Sequence, residues 1–422
     1  MGTLMTSKYQ TIINDITRAI NHQELQKGDK LASIRQLSKT YHCSKDTVQK
    51  ALLQLKYQQL IYAIPKSGYF VLGKLNNESS HEMSLEDYNN MAYEDFRLCL
   101  NQALTSRDSY LFHYYHQAQG LEELLVSLKD HLSDTSIYAQ KDQLVVTSGS
   151  QQALYILSQM PFPNYKEVLL LESPTYHQME SLVSSLNLPY QTIKRDFDGL
   201  DFKYLETLFQ TGNIKFFYTI SRFSNPLGLS YSKKEKERLL ALAEAYDVYI
   251  LEDDYLGDFA RHAEPPLHYF DTNNRVIYLK SFSMSVFPAI RIGTLVLPNP
   301  LKEAFLKQKS MIDLDTNLLM QKALSLYLAN GMFQKNLKVI KSFFERRQEL
   351  LVMHLFPQIA DSTFQISPKE IIIRLDKNSV FYQKWPRQLY QILRHNQQTY
   401  LKLDVTNEAL FLIWSVQNAS GR

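Results

Sequence analysis

Two cysteines, Cys43 and Cys99, are all that the 422 residues contain, which excludes a disulfide framework or a cysteine-built zinc site and fits a reducing compartment. Glycine (13) and proline (14) are also scarce, excluding collagen-like and low-complexity architecture. No apolar run approaches the roughly 20 residues of a membrane-spanning helix. The opening MGTLMTSKYQ lacks the apolar centre of a secretory leader, so the expected location is the cytoplasm and no membrane partner is expected. Against these absences stand 45% hydrophobic and 21% charged residues, enough apolar surface for a folded chain. At 422 residues, two or three domains are expected.

The net charge of +3 is unevenly spread. The first 75 residues hold 11 Lys and Arg against 4 Asp and Glu, while the remainder is slightly acidic. A basic module on a near-neutral body is the footprint of a polyanion reader, although charge alone also describes a solvated face.

Within that module, Ile12, Ile13, Ile16 and Ile20 recur at helical spacing, and Gly28, Asp29 and Lys30 end the helix. Ser33 with Gln36 forms a capping pair for a second, short helix that buries Ile34, Leu37 and Tyr41. Ser44 caps a third, whose stripe is Val48, Ala51, Leu52 and Leu55, leaving Lys45, Gln49 and Lys50 outside. Two β-prone runs, Leu60 to Ile64 and Tyr69 to Leu72, flank the turn Pro65, Lys66, Ser67 and Gly68. Three helices and a basic hairpin form a helix-turn-helix with a wing, able to set the third helix into a major groove. The stretch GDKLASIRQLSKTYHCSKDTVQKALLQL with PKSGYFV resembles the GntR type of winged helix-turn-helix, apart from Ala32 where that family usually has proline. The resemblance implies DNA-binding roles for Arg35, Ser44, Lys45, Thr47, Gln49 and Lys66, with close backbone approach at Gly68, and a double-stranded operator as partner.

The polar stretch that follows reads as a linker, residues 76–92. Beyond it, apolar runs at Leu144 to Thr147, Val168 to Leu171, Ile214 to Ile220, Val248 to Leu251, Val276 to Leu279 and Thr294 to Leu297 alternate with helical patterns. Such a sequence predicts an α/β domain over 93–298 with a mostly parallel sheet covered on both faces. From 299 to 422 the pattern becomes more helical and then returns to strands, predicting a smaller α+β subdomain. Ligands of parallel sheets bind beyond the carboxyl ends of the strands. The residues there are Ser148 to Gln152, ESPTY at Glu172 to Tyr176, NPLG at Asn225 to Gly228, EDDY at Glu252 to Tyr255 and SFSMSVFPAIRIG at Ser281 to Gly293.

In order and spacing these segments resemble fold-type I pyridoxal-phosphate enzymes of the aminotransferase group. With the N-terminal module, the chain resembles the MocR-like subfamily of GntR regulators. That resemblance implies that Ser150, Gln151, Ser281 and Arg291 hold the cofactor phosphate, Tyr176 stacks on the ring, and Asn225 and Tyr255 bond the ring hydroxyl. Asp253 would pair with the ring nitrogen. It also implies a homodimer and a small-molecule effector, with no metal.

Two positions depart from the family pattern. Met284 stands where the Schiff-base lysine is expected, and a thioether can neither bond covalently to an aldehyde nor carry a proton. Lys280 is the nearest amine, four positions earlier. Phe411 occupies the place of the substrate-clamping arginine, and Arg374 is either a substitute or an ordinary strand residue. The expectation is a transcription regulator whose aminotransferase-like part dimerises and senses pyridoxal phosphate or a related ligand, held noncovalently. Two alternatives stay open: an active aminotransferase with a DNA-binding appendage, and a scaffold with an empty pocket.

Overall fold

The four isoleucines at helical spacing become the buried face of α1 (Lys8–Asn21) in the computed structural model of the chain. The structure describes residues 7–64, 67–72, 84–105, 111, 118–359, 362–376, 381–395 and 397–407. Helices α2 (Ile34–Thr40) and α3 (Lys45–Tyr57) complete a small core of Leu37, Val48, Ala51, Leu52 and Leu55. The caps are where the sequence puts them. Ser33 Oγ accepts from Gln36 N at 3.3 Å while Gln36 Oε1 accepts from Ser33 N at 3.0 Å. Ser44 Oγ accepts from Thr47 N at 3.1 Å. Strands β1 (Ile61–Ile64) and β2 (Gly68–Val71) pair antiparallel, Ile61 opposite Val71, and form the wing.

The expected linker is shorter than residues 76–92, because a long helix, α4 (Leu85–Thr105), starts inside it. Ser84 and Asp87 exchange cap hydrogen bonds there, Ser84 N to Asp87 Oδ2 at 3.0 Å and Asp87 N to Ser84 Oγ at 3.1 Å. Tyr88, Ala92, Phe96, Cys99 and Ala103 form its buried stripe, so α4 is a packed element. The chain divides into two compact units: Met1–Ser106 with Ala323–Lys338, and Arg107–Lys322 with Val339–Arg422.

The second unit holds an eight-stranded sheet in the order β3, β10, β9, β8, β7, β4, β5, β6. Its elements are α5 (Glu122–Asp134), β3 (Leu144–Thr147), α6 (Ser150–Gln159), β4 (Val168–Ser173), α7 (His177–Ser185), β5 (Tyr190–Asp196) and β6 (Gly199–Leu200). After these come α8 (Phe202–Thr211), β7 (Ile214–Thr219), α9 (Lys233–Ala245), β8 (Tyr249–Asp253), β9 (Val276–Ser281), β10 (Gly293–Val296) and α10 (Asn299–Ile312). The central strands are parallel, whereas β10 runs antiparallel to β3 and β9. Near-continuous apolar strands require cover on both faces. One face packs on α6 and α7 through Ala153, Leu157, Met179 and Val183, the other on α8 and α9 through Leu205, Phe209 and Leu239. Leu301 and Phe305 of α10 are buried in the first of these cores, although residue 299 is the expected start of the small subdomain. Helices α11 (Leu318–Ala329) and α12 (Met332–Ile359) precede the C-terminal antiparallel sheet of β11 (Phe364–Ile366), β12 (Glu370–Leu375), β13 (Gln391–His395) and β14 (Gln398–Asp404), ordered β11, β12, β14, β13.

Candidate nucleic-acid face and cofactor-shaped site

On the winged helix, the cap of α3 brings Ser44 and Thr47 together, their hydroxyl oxygens 2.9 Å apart. Arg35, Lys45 and Gln49 are exposed and have no side-chain partner among the described residues. Their amino-end position on α3, or beside it on α2, leaves donors available to phosphate oxygens and base edges. Gly68 opens β2 with φ at +118°, a left-handed conformation that side chains rarely adopt, and the Lys30 stem packs against it. Lys66, the expected wing contact, lies outside the described residues.

In the sheet unit, the register of three neighbouring strands brings Ser281, Gly293 and Thr147 side by side at one end. Gly149, with φ at +80°, leads into α6, and a Cβ placed on it would lie 2.8 Å from Arg291 Nη2. The Arg291 guanidinium therefore sits against the turn that delivers the free amides of α6. Amides at a helix start and a guanidinium make an anion cradle. Ser150 starts that helix, and Gln151 Nε2 donates to the Tyr176 hydroxyl at 3.2 Å. Burial, and after it the Asp253 charge, raises the Tyr176 phenol above its ordinary pKa.

Asp253, at the end of β8, is buried and accepts from the Tyr218 hydroxyl at 2.8 Å through Oδ2. Its Oδ1 is equally buried and has no hydrogen-bond partner. A carboxylate oxygen in that state fits a protonated ring nitrogen, which would supply the missing donor. Burial, opposed by the Tyr218 hydrogen bond, raises the Asp253 carboxyl to about 7. The Tyr255 hydroxyl donates to the Phe223 carbonyl at 3.2 Å, placing it in the same loop region as the half-buried Asn225. Tyr218, a buried strand aromatic, is the residue that sequence reasoning missed. Only its position on β7, next to β8, gives it a role.

A pH signature follows from the raised Asp253 group. An ordinary aspartate loses its proton near pH 4 (about 3.9), whereas the folded protein keeps this one until about pH 7. Between those values the native state binds more protons than the unfolded chain, so stability falls as pH rises through that window. Asp253→Asn removes this part of the slope. Its thermal midpoint should vary less than the wild type's across that window; an equal slope in both would contradict the assignment.

The lysine question has a geometric answer. Along β9, Ile277 and Leu279 pack toward α6, whereas Val276 packs toward α9, so side chains alternate between the faces. Ser281 shares the α6 face, as does Asp253 on β8 in phase with Tyr249 and Leu251. Lys280 points to the opposite face. Its ammonium lies 2.6 Å from Asp258 Oδ1, which His131 Nε2 also contacts at 3.0 Å, all three buried. Burial opposes ionisation of Asp258, but Lys280 and His131 outweigh it and hold the carboxyl well below its ordinary range. Lys280 thus belongs to a buried charge network on the face away from Ser281 and Asp253. Met284 is half-buried in the turn after β9, where Val286 N bonds to Phe282 O at 2.9 Å.

Other strand-end acids also turn away from the cofactor-shaped site. Glu252 accepts from Leu267 N at 2.6 Å and His268 N at 2.8 Å, and Asp254 pairs with Arg222. Glu172, from the ESPTY segment, pairs with Arg195 at 2.8 Å and accepts from Tyr231 at 2.7 Å. Arg374, the alternative substrate clamp, is engaged by Asp198 at 2.6 Å. Phe411 lies outside the described residues. Among the described residues, no His, Cys, Asp and Glu cluster suits a metal ion, and no helix is long and apolar enough to cross a membrane.

Residues 83–378 match the family model for aminotransferase class I and II, and residues 8–71 match bacterial regulatory proteins of the gntR family. Over 348 residues the chain is 41% identical to the HTH-type transcriptional regulator YcxD of Bacillus subtilis (strain 168), covering 81% of this chain and 78% of that one. It is 29% identical over 264 residues to aromatic-amino-acid aminotransferase 1 of Thermococcus litoralis, 60% of this chain and 63% of the relative. Among solved structures, a multiple substrate aminotransferase from Thermococcus profundus superposes with a TM-score of 0.65 at 22% identity, covering 78% of this chain and 87% of that one. At that identity the likeness is one of fold.

Proposed function

Since the chain belongs to the HTH-type transcriptional regulators that join a GntR-type helix-turn-helix to an aminotransferase class I/II domain, the MocR-like architecture, we propose that its aminotransferase-like domain is a noncovalent receptor for pyridoxal phosphate or a close relative, without transaminase turnover. The observation that carries this reading is the pairing of a retained shell with a missing amine. Asp253 keeps a buried, unsatisfied oxygen, and Gly149 and Arg291 keep an anion cradle. Met284 stands at the position of the lysine, and Lys280 is committed to Asp258 across the sheet.

Pyridoxal phosphate, when bound, supplies an electron-withdrawing ring with a reactive aldehyde. The chain's own residues would bind and orient it: Ser150, Gln151, Ser281 and Arg291 at the phosphate, Tyr176 against the ring, Asn225 and Tyr255 at the ring hydroxyl. Asp253 Oδ1 would hold the ring-nitrogen proton. With Met284 at the family's lysine position and Lys280 held on the opposite face, covalent capture of the aldehyde and proton relay at that position are not expected. Binding energy then remains available to shift the balance between two arrangements of the chain, provided the ligand prefers one of them.

On the DNA side, Arg35, Ser44, Lys45, Thr47, Gln49, Lys66 and Gly68 form the operator-reading set, and two copies of the chain read paired half-sites, as a homodimer requires. Calorimetry with pyridoxal phosphate, followed by borohydride and mass measurement of the intact chain, tests the receptor. Saturable binding with no added mass is expected. Amino-acid turnover, or a reduced adduct on any pocket lysine, would establish the enzyme reading instead; no binding at all would leave a scaffold.

A further inference from the structure

Helix α4 carries an acid on its buried stripe. Asp95 stands between Ala92 and Phe96 with its side chain fully buried. A carboxylate in such a position destabilises the fold unless it is paired. Lys27 Nζ approaches Asp95 Oδ1 at 2.5 Å as an ion pair. Asn336, at the start of α12, donates to Asp95 Oδ2 at 2.9 Å and to the Tyr327 hydroxyl at 2.7 Å. Lys335, next to it, donates to the Leu72 carbonyl at 3.0 Å. Burial, against the attraction of Asp95, lowers the Lys335 ammonium to about 8.

Lys27, which pairs with Asp95, and Leu72, which accepts from Lys335, belong to the winged helix. Lys27 lies in the turn after α1, which is laced to the wing by Gly28 N to Val71 O, Val71 N to Asp29 O and Leu31 N to Tyr69 O, all between 2.8 and 2.9 Å. Leu72 directly follows the wing strand and is tied back through its amide to Leu60 O at 2.8 Å. The remaining partners sit on α4 and on residues 323–338, in the same compact unit. Leu98 of α4 packs under Gly28, 3.8 Å from where a Cβ would stand. The winged helix is therefore held to the helical layer at two points, both fixed to its wing, while Arg35 and the outer face of α3, with Lys45, Gln49 and Lys50, remain exposed.

We propose that Asp95 is a positioning residue for DNA recognition: its carboxylate clasps Lys27 and Asn336, fixing the orientation in which the winged helix is presented and making binding depend on half-site spacing. This rests on the reading of the chain as a paired DNA reader. A rigid pair of readers tolerates only spacings that keep both recognition helices on one side of the duplex, so displacement by half a turn, about 5 bp, is penalised. A loosened reader tolerates it.

The test uses the full chain and duplexes obtained by binding-site selection with the wild type, rebuilt with the half-sites moved apart in single base-pair steps. Two variants break the clasp from opposite sides: Asp95→Asn, and Lys27→Glu at a partly exposed side chain on which no core packing depends. For the wild type, a half-turn displacement should weaken binding at least tenfold. For both variants the same displacement should cost less than threefold, with affinity for a duplex carrying one half-site unchanged within twofold. Retention of the wild-type spacing dependence by folded Lys27→Glu would overturn the proposal, as would a parallel loss of single half-site affinity. If the wild type selects no sequence, it is the DNA-reading assignment that fails.

Discussion

Met284→Lys is expected to acquire a pyridoxal group that borohydride fixes to the chain, one per polypeptide, with yellow colour before reduction, where the wild type is expected to acquire none. The turn after β9 carries residue 284 on from Ser281, whose side chain shares the face with Asp253 and whose strand neighbour is Gly293, beside the Gly149 and Arg291 cradle. An amine introduced there is carried at the one family position that serves the aldehyde. Lys280 cannot compete, because β9 turns it to the other face and Asp258 and His131 hold it there. The change is qualitative, from no adduct to stoichiometric adduct, and intact mass after reduction reads it directly. If Met284→Lys remains colourless and unmodified while the wild type binds pyridoxal phosphate, the cofactor lies elsewhere. If neither binds, the shell around Asp253 has another purpose.

Arg35→Ala should weaken operator binding about tenfold or more and flatten its salt dependence by about one unit in the slope of log affinity against log salt. Arg35 follows the Ser33 cap on α2, is exposed, and has no competing partner among the described residues. Its removal therefore affects no packing, and a loss of affinity reports contact with DNA. Lys66→Ala should act in the same direction from the wing. Electrophoretic mobility shifts over a salt series measure both. Unchanged affinity and slope in both variants would remove the proposed docking of α3.

Local patterns carried far in this chain. The isoleucine spacing of α1, the Ser33 and Ser44 caps, the hairpin and six apolar strands all lie within short windows, where side-chain period and turn chemistry suffice. Strand β5 escaped that reading because YQTIKRD is polar and mixes exposed with buried positions toward the sheet edge. Helix α4 was missed in part because its first two turns bury only Tyr88 among Glu86, Asp87, Asn89 and Asn90, so Leu85 to Met91 read as a polar connection.

The sequence by itself determined that a basic three-helix module precedes a parallel-sheet domain, a matter of residue identity and near-neighbour spacing. Its family resemblance further implies that Met284 stands where a lysine is expected. Tertiary structure alone decided which charged groups face which way. Asp253 and Lys280 come from adjacent strands, yet the two-residue period of a strand sends one toward Tyr218 and the other toward Asp258. Asp95 finds Lys27 and Asn336, respectively 68 residues before it and 241 after it. A buried charge is tolerated only by partners that folding brings to it, and no local pattern specifies those partners.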